Sequence, residues 1–128
     1  FTYVSNRAFL HTDVNLMPSR KKAWSSWNSI TKDKKTCVTY WLNKLQNLHI
    51  GKNIFLTINP FREIPADKIF KKVRFTHPYY DNAALFNQSN LHKIQNKKNT
   101  LFCGSYFGYG FHEDGIKSTI EMLKTLND

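Results

Sequence analysis

Two stretches of the chain combine residue types that could carry chemistry. His11 and Asp13, in the run His11-Thr12-Asp13, stand two apart on a strand and so share one face. That spacing suits an acid–base or substrate-orienting pair, and it equally suits a polar pair that closes a strand. The second stretch runs from Gly104 to Gly115 as GSYFGYGFHEDG. It reads as a strand, a glycine-rich turn and the start of a helix. A helix start leaves backbone N–H groups without partners and carries partial positive charge, and glycines before it let a ligand approach the backbone. An ordinary strand-to-helix turn has the same spacing. Gly108-Tyr109-Gly110 is not a dinucleotide fingerprint, because position 113 is Glu where a third glycine would fall. Gly115 costs about 1 kcal/mol relative to Ala inside a helix, which suggests close packing against it.

Single side chains in the second stretch have assignable roles. His112 stands at the helix start, where it could hydrogen-bond a ligand or substrate. Glu113 and Asp114 occupy the first helical turn, where acidic groups complement the dipole. His77 precedes Pro78, which restricts its backbone and favours a turn role over a catalytic one. Tyr40 and Trp41 are adjacent on a strand and so divide between its faces.

The elements that must position these residues follow from pattern. Val4 to Thr12, Ala23 to Ile30, Thr36 to Leu42, Asn53 to Ile58 and Ile69 to Thr76 read as five strands. Their connections are rich in Lys, Ser and Asp, with stops at Asn59-Pro60 and His77-Pro78. Short spacing and no long helix between them predict an antiparallel sheet. Residues 43–50 are expected to form a short helix or irregular link. Asn82 to Gln95 is expected to hold one or two helical turns. Thr100 to Tyr106 is expected to be a short buried strand, and the 3.6-residue period of Ile116, Ile120 and Leu123 predicts a helix from His112 to Leu126.

Composition bounds the class. The chain has 128 residues with 41% hydrophobic and 15% aromatic content, which excludes intrinsic disorder and supports a modest core. No apolar run approaches the length of a membrane span, and no secretory signal opens the chain. Cys37 and Cys103 lie in apolar, strand-like settings without metal-ligand spacing, so a reducing, cytoplasmic compartment is expected and no metal. The net charge of +10 is carried by Lys rather than Arg, 15 to 4. The clusters Arg20-Lys21-Lys22, Lys32 with Lys34-Lys35, and Lys97-Lys98 fall between strands, where solvated turn residues belong. Arg would be the favoured reader of phosphates or guanine edges, so no nucleic-acid partner is expected. The chain opens on Phe1 inside a strand-like run and is expected to be a piece of something longer.

The run FCGSYFGYGFHEDGIKSTIEML, Phe102 to Leu123, resembles the C-terminal flavin-binding segment of FAD-dependent oxidoreductases with the amine-oxidase-type fold. The similarity is greatest to the bacterial group of NAD/FAD-binding proteins. Asn6 to Asn28, Val38 to Gln46, Phe55 to Pro60, Phe75 to Asp81 and Leu91 to Gln95 fit the same group in collinear order. The resemblance implies an α+β fragment. Residues 1–95 would supply the last antiparallel strands of a substrate domain, and 96–128 a strand-turn-helix completing a Rossmann-like FAD/NAD(P)-binding domain. It further implies FAD as cofactor and a missing N-terminal part carrying GxGxxG. The substrate would be an unidentified small molecule, with lipid or fatty-acyl groups as one class, and apolar surface should be exposed without that part.

Carried over residue by residue, the cofactor contacts would be Gly104, Ser105, Tyr106, Gly108, Gly110, Phe111, His112, Glu113, Asp114 and Gly115. Ser105 stands where the wider fold has Asp or Glu. Catalytic candidates are His112, His11 and Asp13. The competing reading is a basic module that binds nucleic acid through its sheet. Flavin absorbance would favour the first reading, and salt-dependent retention on single strands the second.

Overall fold

The computed structural model describes residues 1–33 and 35–126. Lys34, part of the second basic cluster, lies outside the described residues. The architecture is α+β, with a five-stranded sheet and three short α-helices. In chain order the strands are β1 (Thr2–His11), β2 (Trp27–Lys32), β3 (Lys35–Trp41), β4 (Phe55–Ile58) and β5 (Ile69–Tyr79). The helices are α1 (Leu42–Leu45), α2 (Asn82–Gln88) and α3 (His112–Lys124). The spatial strand order is β2-β3-β4-β1-β5, and the β2/β3, β3/β4 and β4/β1 pairs are antiparallel. Among the described residues no helix is long and apolar enough to cross a membrane.

Two compact units make up the chain: residues 5–76, and residues 1–4 with 77–128. The core of the first unit follows from strand alternation. Phe9 and His11 on β1, Phe55 and Thr57 on β4, and Cys37, Thr39 and Trp41 on β3 share one face. Residues 14–24 supply partners for that face. Leu16 is fully buried with Cys37 and Ile64, and Trp24 packs edge-on to Trp41 and Phe55 at 5.3 and 5.7 Å between centroids. The Trp24 indole donates to the Pro18 carbonyl at 2.8 Å, which satisfies its one polar group.

The structure corrects several expectations. Residues 100–106 are not a strand. Beyond the isolated Lys97–Thr100 bridge this segment joins no strand among the described residues; the Gln95 side chain takes the N–H and C=O of Phe102, and Ser105–Phe107 closes a 3-10 turn. A strand needs a ladder partner for its backbone groups, and among the described residues none runs beside it. A Rossmann-like domain is not shown among the described residues. Cys103 is exposed in that irregular segment, whereas Cys37 is buried on β3. The second strand begins at Trp27 rather than Ala23, because Lys21–Ala23 turn as a 3-10 segment and Asn28 ties back to Ser25. β5 continues through His77-Pro78 to Tyr79. At the end of the strand order β5 has a free side, where proline's missing donor is tolerated, and the residue before proline is already biased to extended backbone.

Candidate functional site

The first candidate pair is buried. His11 and Asp13 both have zero exposed area. The Asp13 amide donates to His11 Nδ1 at 3.0 Å, so Nδ1 is an acceptor and the proton sits on Nε2. Nε2 then donates to Thr57 Oγ1 at 2.7 Å, and the Thr57 and Thr39 hydroxyls share a hydrogen bond of 2.9 Å. The result is a hydrogen-bond chain, His11 to Thr57 to Thr39, across three neighbouring strands, β1, β4 and β3. Burial pushes the His11 pKa down to about 4, although the nearby Asp13 charge pulls it up. Burial also raises the Cys37 thiol pKa, against hydrogen bonds from Thr39 and Phe61. Both groups are therefore neutral near pH 7.

The Asp13 carboxylate does not touch the imidazole. Oδ1 accepts from the Asn15 amide and side chain at 3.3 and 2.8 Å and lies 3.4 Å from Lys68 Nζ. Oδ2 has no hydrogen bond and faces Arg62 at 3.9 Å. Burial alone would raise this carboxyl's pKa. The Asn15 bond and the charges of Lys68 and Arg62 outweigh it and hold the value below its ordinary one. Sequence reasoning singled out His11 and Asp13 but not Thr39 and Thr57. Their i, i+2 partners Cys37 and Phe55 were a signal, since Thr at an inward strand position must find an acceptor.

The second candidate stretch belongs to the other unit. Gly104 has φ of 152° and Gly110 φ of 94°, conformations that L side chains rarely adopt. A Cβ at Gly104 would meet the Tyr106 ring at 2.5 Å, one at Gly108 would collide with the Asp114 carboxylate, and one at Gly110 would meet the Tyr80 hydroxyl at 3.1 Å. A Cβ at Gly115 would find only the Ser105 amide nitrogen, at an ordinary 3.8 Å. The loop is held from two sides. Gln88 donates to the carbonyls of Tyr106 and Gly108, and Ser118 bonds the backbone of Gly104 as both donor and acceptor.

Asp114 Oδ2 accepts from the amides of Tyr109 and Phe111, both at 3.0 Å, so this carboxylate closes the helix start itself. Glu113 points outward to Lys117 at 3.8 Å. The amides of Phe107, Gly108 and Gly110 bond Gly104 and Ser105 carbonyls. Internal bonds therefore occupy most of the loop's donors. What remains for an anionic ligand are the amides that open the two helical turns, Ser105–Tyr106 and His112–Glu113, which by position have no intrahelical acceptor. His112, Phe111 and Tyr109 are exposed. Burial, with Cys103 and Tyr3 nearby, raises the Tyr106 phenol pKa.

Among the described residues no three His, Cys, Asp or Glu side chains gather as a metal site. Comparison with family models and with curated proteins finds no match for this chain.

Proposed function

We propose that this chain is the C-terminal part of a flavin-dependent oxidoreductase of amine-oxidase-like fold, with a lipid or fatty-acyl compound as the suggested substrate class. The collinear motifs from Asn6 to Leu123 support the reading. The structural observation that carries it is the turn at 104–115. Glycine stands at two positions whose φ it alone adopts freely, and at a third, Gly115, where nothing in this chain excludes a side chain. An unforced helical glycine beside free helix-start amides is a place where a flat ring system can approach. Bound FAD would supply the acceptor for an electron pair, while this chain binds and orients it. The amides of His112 and Glu113 would hold negative charge at the flavin's pyrimidine edge. The Ser105 hydroxyl would replace the acidic group of the wider fold. His112 would lie within reach of the ring or of substrate.

The test uses the complete polypeptide that contains this sequence. Gly115→Val is expected to strip flavin, read as the ratio of flavin to protein absorbance, with circular dichroism confirming the fold. Gly51→Val, at a glycine with nothing near it, should retain full flavin. A folded Gly115→Val protein with full flavin would overturn the reading. Gly110→Val is the poorer probe, since its φ and Tyr80 strain any substitution there. The 128-residue chain alone should bind FAD more weakly than micromolar, because the half of the site for ADP would lie elsewhere.

A further inference from the structure

The core face of the sheet does not end where its apolar cover ends. Strand alternation carries Arg7 onto the same face as Phe9 and His11, and Lys35 onto the face of Cys37 and Thr39. Lys32 lies directly opposite Lys35. Three exposed cations thus gather where that face meets solvent, and two of them are like charges paired across a hairpin, a destabilising arrangement without a counter-ion. Among the described residues none of the three has an ion-pair partner. They line a cavity of about 630 Å³, whose one acidic residue is Asp33.

A second cavity of about 690 Å³ shares Arg7, Pro60 and Phe61 with the first. Its character is different, with Phe9, Ile64 and Ile69 along the wall and Lys72 set 5.9 Å over the Phe9 ring. Of its three cations, Arg7, Arg62 and Lys72, Arg62 is directed toward Asp13, and its acid is Glu63. One polar, cation-rich space and one where Phe9, Ile64 and Ile69 share the wall with charged groups therefore adjoin within the unit of residues 5–76.

We propose that the two cavities together bind a small amphiphilic anion. Its carboxylate or phosphate head sits among Arg7, Lys32 and Lys35, and its apolar body lies along Phe61, Phe9 and Ile64. The head cancels the Lys32–Lys35 repulsion, and the body covers Phe61, which is otherwise exposed. The proposal uses no flavin contact and stands independently of the oxidoreductase reading.

The test is calorimetric titration of the full chain with laurate and with dodecyl phosphate, both below their micelle concentrations. Acetate and inorganic phosphate serve as heads alone, and dodecyl maltoside as a neutral tail. At least one amphiphilic anion should bind ten times more tightly than all three controls. Arg7→Gln and Phe61→Ala should each weaken it about tenfold, the scale of one charge-assisted contact or one buried ring. Lys22→Gln, at an exposed cation outside both cavities, should leave it unchanged. Lys35→Gln serves in place of Arg7→Gln if that variant fails to fold. Equal binding of the neutral tail, equal binding of the bare anions, no binding at all, or unchanged affinity in both cavity variants would each overturn the proposal.

Discussion

The unit of residues 5–76 and the segment after Asp81 use the same kinds of residue in opposite ways. In the first, polar side chains go inward. His11, Thr57, Thr39 and Asp13 are at most 1% exposed, and they sit beside Phe55, Leu16 and Cys37. In the second, apolar side chains go outward. Ile116, Ile120 and Leu123 form a stripe along α3 and are 58%, 51% and 49% exposed, while the buried residue on that helix is Ser118. The difference lies in what each segment has to pack against. A sheet face with a folded-over cover can bury polar groups when they are hydrogen-bonded or, like Asp13 Oδ2, set against a cation. A helix held by its Gly115–Ser118 face to the 104–107 turn must leave its apolar stripe in water.

The largest expected effect tests the first side of this contrast. Phe55→Ala should destabilise the chain by about 3–5 kcal/mol, the range for deleting a buried ring. Ile120→Ala should stay within about 0.5 kcal/mol, as surface changes do. Urea midpoints for both variants check this. A cost for Ile120→Ala as large as that for Phe55→Ala would mean that the stripe is covered in solution, and the contrast would collapse.

Acid comes next. The folded His11 pKa of about 4 lies below the ordinary 6.5, so the unfolded chain takes up the proton first as pH falls. The stabilising effect is whole above pH 6.5 and is lost as pH drops toward 4, by about 3 kcal/mol. Asp13, also held low, adds a further loss below its ordinary 3.8. Urea midpoints from pH 7 to pH 4 should decline, and His11→Gln should flatten that decline. A flat wild-type profile would show that His11 is not locked as the bond geometry has it.

Thr57→Val probes the hydrogen-bond chain at its centre. It keeps the side chain's shape while leaving the His11 Nε2 proton and the Thr39 hydroxyl without their partner. A loss of about 1–3 kcal/mol is expected. Val tolerated at no cost would make the chain a by-product of packing.

The smallest effects sharpen the second side. Gly110→Ala, at φ of 94° and against Tyr80, should cost about 1 kcal/mol or more. Gly115→Ala has room and a helical setting and should stabilise by up to about 1 kcal/mol. Thermal unfolding of the two variants should shift in opposite directions. A stabilised Gly115→Ala chain that bound flavin poorly within the complete polypeptide would separate the glycine's ligand role from any folding role.

Local pattern alone was enough to place all five strands to within a few residues and helix α3 to within two residues of its end, while it left residues 43–50 open between a short helix and an irregular link. Alternation and the 3.6-residue period are properties of neighbouring residues, so they are visible without any partner. The division of Tyr40 from Trp41 was readable for the same reason, whereas Asp13 lies past the end of β1 and caps the 3-10 turn Val14–Leu16 instead of continuing the strand face of His11. Tertiary structure decided the rest. Residues 100–106 have the composition of a strand, but a strand exists only with a neighbouring strand to take its hydrogen bonds, and among the described residues none runs beside them. Thr39 and Thr57 became relay members only when β3, β4 and β1 were placed side by side in one register. Arg7 and Lys35, far apart in sequence, came to one end of one face through the same pairing. Periodicity says which side a residue is on, and only the folded chain says what stands opposite.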